Sequence, residues 1–557
     1  MKILGIHDGH NATAALLQDG RIVAAVSEER LVREKNVDCF PENAVADCLQ
    51  AAACAAEDVD FVAFNGEHQP YSRTRAELMA SFRKASTPQT AIRKLLRRTP
   101  ANRYYRDRRR ASRLENAARL GFDEKRVRFV EHHRAHAYAA YWSSPWREGP
   151  VLVLTCDGSG DDLCATVNVG TDGKIERVAA VHESHSLGIV YAMATTLLGM
   201  MPLEDEHKVM GMAPYGLRRA TARAEENCFA DLFRVDGMAW ERANGLPNAY
   251  QSFNYMKKRL GLTRFDTASA SIQLLAEGIL TSWVANCVRE TGVRRVALSG
   301  GVFMNVKANK AIYELPEVEE LFVMPSCGDD SNALGVCYAV YDEERRRAGL
   351  GTDIPPLGPL YLGRGFSDVD CERALVAVRR ADGVTVSEPE DIAWELGRLV
   401  AAGKVAARFA GRMEFGARAL GNRSILADPK DMAVIPKINE MIKSRDFWMP
   451  FAPSVLAERT EEYAAKPKPM AAPYMIMAFD STAKLGDFRA ATHPYDKSTR
   501  PQEVFEDWNP GYYRVLKSFE EATGRGIFLN TSFNLHGYPI VYRPGEAVEV
   551  FLRSSLD

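Results

Sequence analysis

The stretch EHHRAHAYAAYW, residues 131–142, sets His132 and His136 four residues apart, with His133 between them and a run of small residues behind. Four residues is about one helical turn, so both imidazoles leave one face of a helix and can meet one metal ion. No H-E-x-x-H glutamate is present, so the pattern lacks the general base of a zinc protease. Two other stretches end apolar segments in acids. LTCDGSGD carries Asp157, and PSCGDDSNALG carries Asp329 and Asp330 ahead of a helix opening with Ser331 and Asn332. Acids at such positions suit a metal ion or a sugar hydroxyl. An H-x-x-x-H pair alone is more often an ordinary surface or core pair, so the surrounding elements decide.

The background is that of a globular protein. With 557 residues, 46% apolar and 26% charged, the chain is long enough for about two to four domains. A formal net charge of −2 argues against global attraction to nucleic acid or an anionic membrane. No apolar run approaches the ~20 residues of a membrane span, and MKILGIHDGH has no signal-peptide core, so the expected location is the cytoplasm. The ten cysteines are scattered without a C-x-x-C pair, which suits reduced, buried thiols.

The elements that must position the histidines and acids repeat. KILGIHDGHNATAALLQDGRIVAAVSEER reads as an apolar strand, an Asp8-Gly9 turn, a second strand, an Asp19-Gly20 hairpin turn and a third strand. VLVLTCDGSGDDLCATVNVGTDGKIERVAAV does the same from residue 151, with Asp157-Gly158 ending the first strand and Asp172-Gly173 turning the hairpin. Two copies about 150 residues apart predict a duplicated α/β fold of the actin, sugar-kinase and heat-shock ATPase kind, with a cleft between halves. VALSGGVFMNVKANKAI, 296–312, adds a strand, Gly300-Gly301 and a helix, a junction where a nucleotide can lie against backbone N–H groups. A Gly- and Pro-rich run at 349–366 breaks every period. The expected division is residues 1–350, a linker at 351–366, and a second domain at 367–557 that repeats nothing from the first.

Nine motifs in order carry a resemblance: SEERLVREKNVDCFP, EHHRAHAYAAY, LTCDGSGD, HKVMGMAPYG, LSGGVFMNVKAN, PSCGDDSNALG, GRMEFGARALGNRSILADP, FAPSV and LNTSFNLHGYPIV. The set resembles the O-carbamoyltransferase family, which includes nodulation carbamoyltransferases and enzymes tailoring cephem and aminoglycoside antibiotics. The resemblance implies an actin-like (ribonuclease H-like) first domain similar to the tRNA threonylcarbamoyl transferase, followed by a YrdC-like α/β domain. It implies ATP and carbamoyl phosphate as co-substrates, with Mg(2+) accompanying ATP, joined in the second domain to carbamoyl-adenylate. The acceptor implied is a small hydroxylated molecule of secondary metabolism. A homodimer is compatible with this reading.

The family also implies roles residue by residue. Iron(II) is the implied metal, with His132, His136, Asp157 and Asp329 as ligands; the mixed donors fit manganese or zinc as well. His133 and Asp330 remain alternatives one residue away. His10 matches the family's histidine in the early turn and is the expected general base, its neighbour being Asn11 where the family usually has aspartate. Asp8 and Lys35 are candidates for acceptor contact. Gly300, Gly301 and Asn305 should hold the adenylate in the first domain, with Ser186 and Lys208 as weaker candidates. In the second domain Arg412, Arg418 and Arg423, then Lys443 and Arg445, are interleaved with glycines that allow close backbone approach, and guanidinium groups suit polyanions. Arg500, Asn530, Ser532 and Asn534 complete that expected site.

One segment favours a different class. IRKLLRRTPANRYYRDRRRASR, 92–113, has the basic and aromatic content of an RNA-binding stretch, which would suit an RNA-directed carbamoyl-type transferase. A single basic stretch on a net-acidic chain is more often a solvated helix, so a nucleic-acid partner is not the expectation.

Overall fold

The structure is a computed structural model that describes residues 1–67, 74–84, 100–222, 226–243, 245–379, 381, 383–443 and 445–557. It separates into two compact units, Met1–Glu28 with Asn36–Leu357, and Glu29–Lys35 with Gly358–Asp557. Chain order alone would give residues 29–35 to the first unit. Their packing gives them to the second: Arg30 Nη2 donates to the Gly416 carbonyl at 2.8 Å, and Arg33 Nη1 to Glu549 at 2.8 Å. No helix or strand lies between Arg347 and Asp368.

The first unit holds two five-stranded sheets. One contains β1 (Lys2–His7), β2 (Thr13–Gln18), β3 (Arg21–Ser27), β4 (Phe61–Asn65) and β5 (Val127–Val130) in the order β3-β2-β1-β4-β5. The other contains β6 (Val151–Gly160), β7 (Leu163–Thr171), β8 (Lys174–His182), β9 (Arg295–Ser299) and β10 (Glu320–Val323) in the order β8-β7-β6-β9-β10. In both, the first three strands are antiparallel neighbours and the last two add in parallel. The central strands are apolar along their length because both faces are covered: Ile3, Leu4, Ile6 and Leu152, Val153, Leu154 are wholly buried. The hairpins turn where the Asp-Gly pairs predict. Asp19 and Gly20 have φ of 47° and 82°, Asp172 and Gly173 49° and 81°, the left-handed pair of a type I′ turn.

Asp157 does not end its strand as the motif suggests. β6 continues to Gly160, but its pairing with β7 shifts register between Cys156 and Gly160, and this irregularity re-aims the aspartate. The strand before Asp329 stops earlier than expected, at Val323.

Seven helices of this unit matter for the site: α1 (Pro100–Arg119), α2 (His132–Ser143), α3 (Leu187–Leu197), α4 (Glu206–Ala222), α5 (Phe265–Thr291), α6 (Val306–Tyr313) and α7 (Asn332–Arg347). Of these, α7 packs on β1, β2 and β4 and lies along α2. The two helices approach so closely that a Cβ on Gly335 would stand 2.0 Å from the Ala135 carbonyl oxygen.

The second unit has a different sheet. Its strands β11 (Ala406–Phe409), β12 (Arg423–Ala427), β13 (Ala452–Leu456), β14 (Gln502–Val504) and β15 (Ile527–Ser532) run in the order β11-β12-β15-β13-β14. Helices α8 (Ile392–Ala401) and α9 (Pro510–Thr523) pack together over Leu426, Leu456 and Phe528. All ten cysteines are free thiols, and eight are buried. Among the described residues no helix is long and apolar enough to cross a membrane.

Candidate functional site

His132 and His136 leave the buried face of α2, whose N-terminus is capped by Glu131 accepting from the backbone N–H of His133 and Arg134. Asp157 arrives from the irregular end of β6, and Asp329 from the turn before α7. One ligand atom from each of the four lies within 4.8 Å of the others. His132 Nε2 stands 3.2 Å from Asp157 Oδ2 and 3.5 Å from Asp329 Oδ1, and His136 Nε2 is 3.4 Å from the same Asp329 oxygen.

Spacing alone left His133 and Asp330 open as alternatives. His133 turns into the sheet, its Nδ1 2.8 Å from Thr155 Oγ1, while Asp330 accepts from Ser326.

The electrostatics of the cluster are those of opposed charges packed out of water. Burial alone would pull His132 down, but the carboxylates of Asp329 and Asp157 overcome it and raise the imidazole to about 9. Burial likewise opposes ionisation of Asp329, yet His132, His136 and His7 hold its carboxyl well below the usual range. His7, on β1, is lowered by burial against the pull of Asp329, whose Oδ2 is 3.8 Å from its Nε2.

The surrounding groups orient the rings. His136 Nδ1 faces Ser299 Oγ at 3.1 Å. Asn65, ending β4, sets its amide nitrogen 3.3 Å from His132 Nδ1 and 3.0 Å from His7 Nδ1. The ring of His132 lies flat on β6, where a Cβ on Gly160 would stand 2.0 Å from its Cγ. Gly301 N donates to Asp157 Oδ1 at 2.9 Å, leaving the other carboxylate oxygen toward His132.

These residues fit a divalent cation. Two imidazoles and two carboxylates are a mixed nitrogen and oxygen donor set, and their charges balance a 2+ ion. Two carboxamides at the rim, Asn65 and Asn332, each present nitrogen to an imidazole while Oδ1 is buried without a hydrogen-bond partner among the described residues. With His132 Nε2 on a cation, Nδ1 is the ring nitrogen that carries the proton.

The other expected positions have contacts of their own. Asp8 is wholly engaged by Arg113 of α1, whose Nε and Nη2 donate to its two oxygens at 2.9 and 2.6 Å. Lys35 falls in the 29–35 segment of the second unit. Ser186 caps α3, accepting from Ile189 N at 3.0 Å and donating to the Gly158 carbonyl at 2.6 Å. Lys208 pairs with Asp205 at 3.2 Å. Asn305 caps α6 and shares a reciprocal amide pair with Gln273 at 2.8 and 3.0 Å. Gly300 N donates to Cys327 O at 2.8 Å. His10 sets Nε2 3.2 Å from the Leu203 carbonyl, which fixes the proton there and leaves Nδ1 as the basic nitrogen. His7 Nε2 donates to the His10 carbonyl at 2.8 Å.

In the second unit the arginines separate into two groups. Arg412 donates to the carbonyls of Gly363 and Leu362 at 2.8 and 2.7 Å. Arg423, completely buried, stacks on Phe409 and donates to the carbonyls of Ala410, Asn422 and Gly411. Both donate to backbone carbonyls around the loop. Arg418 instead joins Arg445 and Arg500. Burial and Arg418 lower Arg445 to about 10, and burial with Arg418 and Arg445 takes Arg500 well below the usual value. The charges that act on Arg445 and Arg500 are those of neighbouring arginines, with no carboxylate among them. Arg445 Nη2 reaches Thr531 Oγ1 at 3.1 Å. Lys443 belongs to the short turn Asn439–Lys443. Asn530 donates to Ala419 O, Ser454 Oγ and Gln502 Oε1, and Ser532 donates to Asn534 Oδ1 at 2.6 Å.

Several working residues escaped the motif reading: Asn65, Arg113, Ser299, Gln273 and Glu414. Glu414 Oε1 accepts from the backbone N–H of Leu420, Asn422 and Arg423 and so shapes the loop that carries Arg418. An acid followed by a Gly-rich loop is the one signal that could have singled it out. Of the basic segment, residues 92–99 lie outside the described residues. Of its later part, Arg110 lies over Phe129 and pairs with Glu67, and Arg113 is buried.

Residues 2–338 match the family described as Carbamoyltransferase N-terminus, and residues 397–557 match Carbamoyltransferase C-terminus. The chain is 30% identical to the uncharacterized protein sll1178 of Synechocystis, over 98% of this chain and 93% of that one. It is 32% identical to nodulation protein NolNO of Sinorhizobium fredii, over 98% and 77%. It is 26% identical to the 3'-hydroxymethylcephem-O-carbamoyltransferase of Amycolatopsis lactamdurans, over 77% and 78%. With both family segments matched in order across nearly its whole length, this chain belongs to the carbamoyltransferase family and is an enzyme.

Proposed function

We propose that the protein is an ATP-dependent O-carbamoyltransferase that acts on a hydroxyl of a small molecule. The single observation that carries this reading is the cluster of His132, His136, Asp157 and Asp329, in a chain that also brings Arg418, Arg445 and Arg500 together. The matching strand order of the first unit's two sheets supports the duplicated actin-like fold, and the distinct second sheet leaves the YrdC-like role to the second unit.

In this reading the three guanidinium groups bind carbamoyl phosphate and the phosphates of ATP with its Mg(2+), since guanidinium groups offer planar donors to polyanions. Water hydrolyses carbamoyl phosphate there to carbamate and phosphate, and a carbamate oxygen then attacks the α-phosphate of ATP to give carbamoyl-adenylate as pyrophosphate leaves. Gly301, already bonded to Asp157, and Gly300 border the place where the adenylate lies in the first unit. A divalent cation such as iron(II), held by His132, His136, Asp157 and Asp329, supplies Lewis acidity toward the carbamoyl carbonyl or the adenylate phosphate. His10, its Nε2 proton held by Leu203, takes the acceptor proton at Nδ1 as the alcohol oxygen attacks and AMP leaves. Cephem and nodulation relatives are consistent with a small hydroxylated acceptor.

The test divides the half-reactions. Arg418→Ala should abolish pyrophosphate release from ATP with carbamoyl phosphate, and His132→Ala should leave that release largely intact while stopping transfer across a panel of alcohols followed by mass spectrometry. The reverse pattern would exchange the roles of the two units.

A further inference from the structure

We infer that Asn332 supplies a fifth protein ligand, its side-chain oxygen, to the cation of the His132, His136, Asp157 and Asp329 site, an inference that rests on the metal reading above. Asn332 opens α7 and is wholly buried. Its Nδ2 position lies 3.0 Å from His136 Nε2 and 3.5 Å from Asp329 Oδ1. Among the four ligand atoms, His132–Asp157, His136–Asp329 and His132–Asp329 are 3.2, 3.4 and 3.5 Å apart, and all four lie within 4.8 Å of one another. An atom as near to two ligand atoms as they are to each other sits at the same coordination shell. Two donors each ~2.1 Å from one ion are themselves about 3 Å apart.

The polarity makes the same point. As placed, Asn332 donates Nδ2–H toward the His136 lone pair, the very electrons a cation would take, while its own Oδ1 is buried without a hydrogen-bond partner among the described residues. The two ends of a carboxamide exchange by a half-turn and have nearly the same shape. Turned, the oxygen joins the lone pairs of His136 and Asp329 at one place. Three converging lone pairs are mutually repulsive unless a cation lies among them. The amide is also neutral, so the two carboxylates still balance a 2+ ion, and a set of two nitrogens and three oxygens suits manganese or iron(II).

The probe is manganese. The parent and Asn332→Leu, a near-isostere without donor or acceptor, are titrated with MnCl2 and free ion is read by electron paramagnetic resonance. The expected loss is at least about tenfold in affinity. A crystal structure of the manganese-loaded parent, which needs no variant to fold, should place the amide oxygen within about 2.0–2.4 Å of the ion. Parent-like binding by Asn332→Leu, or an ion on the other four residues with the amide beyond 3 Å, would overturn the inference alone. A parent that binds no manganese at these residues would overturn the metal reading with it.

Discussion

Arg113 is completely buried, and its guanidinium is held by both oxygens of Asp8 and by the carbonyls of Asn65 and Gly66. Four accepting atoms satisfy a group that could not otherwise leave water. Asn65 in turn touches His7 and His132, so the ion pair sits one residue behind the histidine and aspartate cluster. An aspartate in a turn next to a histidine reads as a substrate contact from the sequence, and here its partner comes from a helix a hundred residues on. The two roles give opposite results on mutation. Asp8→Ala should destabilise the protein by roughly 3–5 kcal/mol in chemical denaturation, because it strands a buried positive charge. Replacing both partners by apolar residues, Asp8→Leu with Arg113→Met, should recover much of that loss. An Asp8→Ala variant of unchanged stability but raised KM for the acceptor would restore the substrate role.

The cluster is positioned by elements that meet tightly, and Gly335 marks the tightest place. A Cβ there would meet the Ala135 carbonyl at 2.0 Å, so α2, bearing both histidines, and α7, bearing Asn332, would have to move apart. Gly335→Ala should therefore cost about 1–3 kcal/mol and loosen metal retention, measured by unfolding and by metal content after dialysis. Gly278 in α5 is the control: nothing lies within 4 Å of its Cβ position, and Gly278→Ala should stabilise by about 0.5–1 kcal/mol. If both variants behaved alike, close approach would not be what fixes these helices. The elements were partly legible in the chain. Asp-Gly pairs marked hairpins because that turn demands two left-handed residues, and buried strands showed as unbroken apolar runs. The two histidines were legible through helical spacing. The arginine roles were not, because residue type does not say whether a guanidinium meets a carbonyl, as Arg412 and Arg423 do, or stands with other cations, as Arg445 and Arg500 do. Nor did chain order reveal that 29–35 folds with residues more than three hundred positions away.

At the scale of the whole molecule, the two compact units carry differently charged clusters, and the proposed function gives a cation to one and an anion to the other. Ligand binding to a folded unit stabilises the elements that close around it, and hydrogen exchange reads that stabilisation segment by segment. Manganese should slow exchange at 132–143, 155–160 and 328–336, where the donor atoms and their backbone supports lie. Carbamoyl phosphate should slow it at 414–423, 445–451 and 527–534, the Glu414 loop, the segment after Arg445 and the strand that bonds it. His136→Ala should abolish the first pattern and leave the second, and Arg445→Leu should do the converse. Because Arg445 is lowered by burial and by Arg418, its removal relieves like-charge repulsion, and Arg445→Leu should be at least as stable as the parent without the anion. If manganese protected the arginine segments, or carbamoyl phosphate the histidine helix, while each variant lost both patterns, the two sites would not be separable and the division of half-reactions between the units would fall.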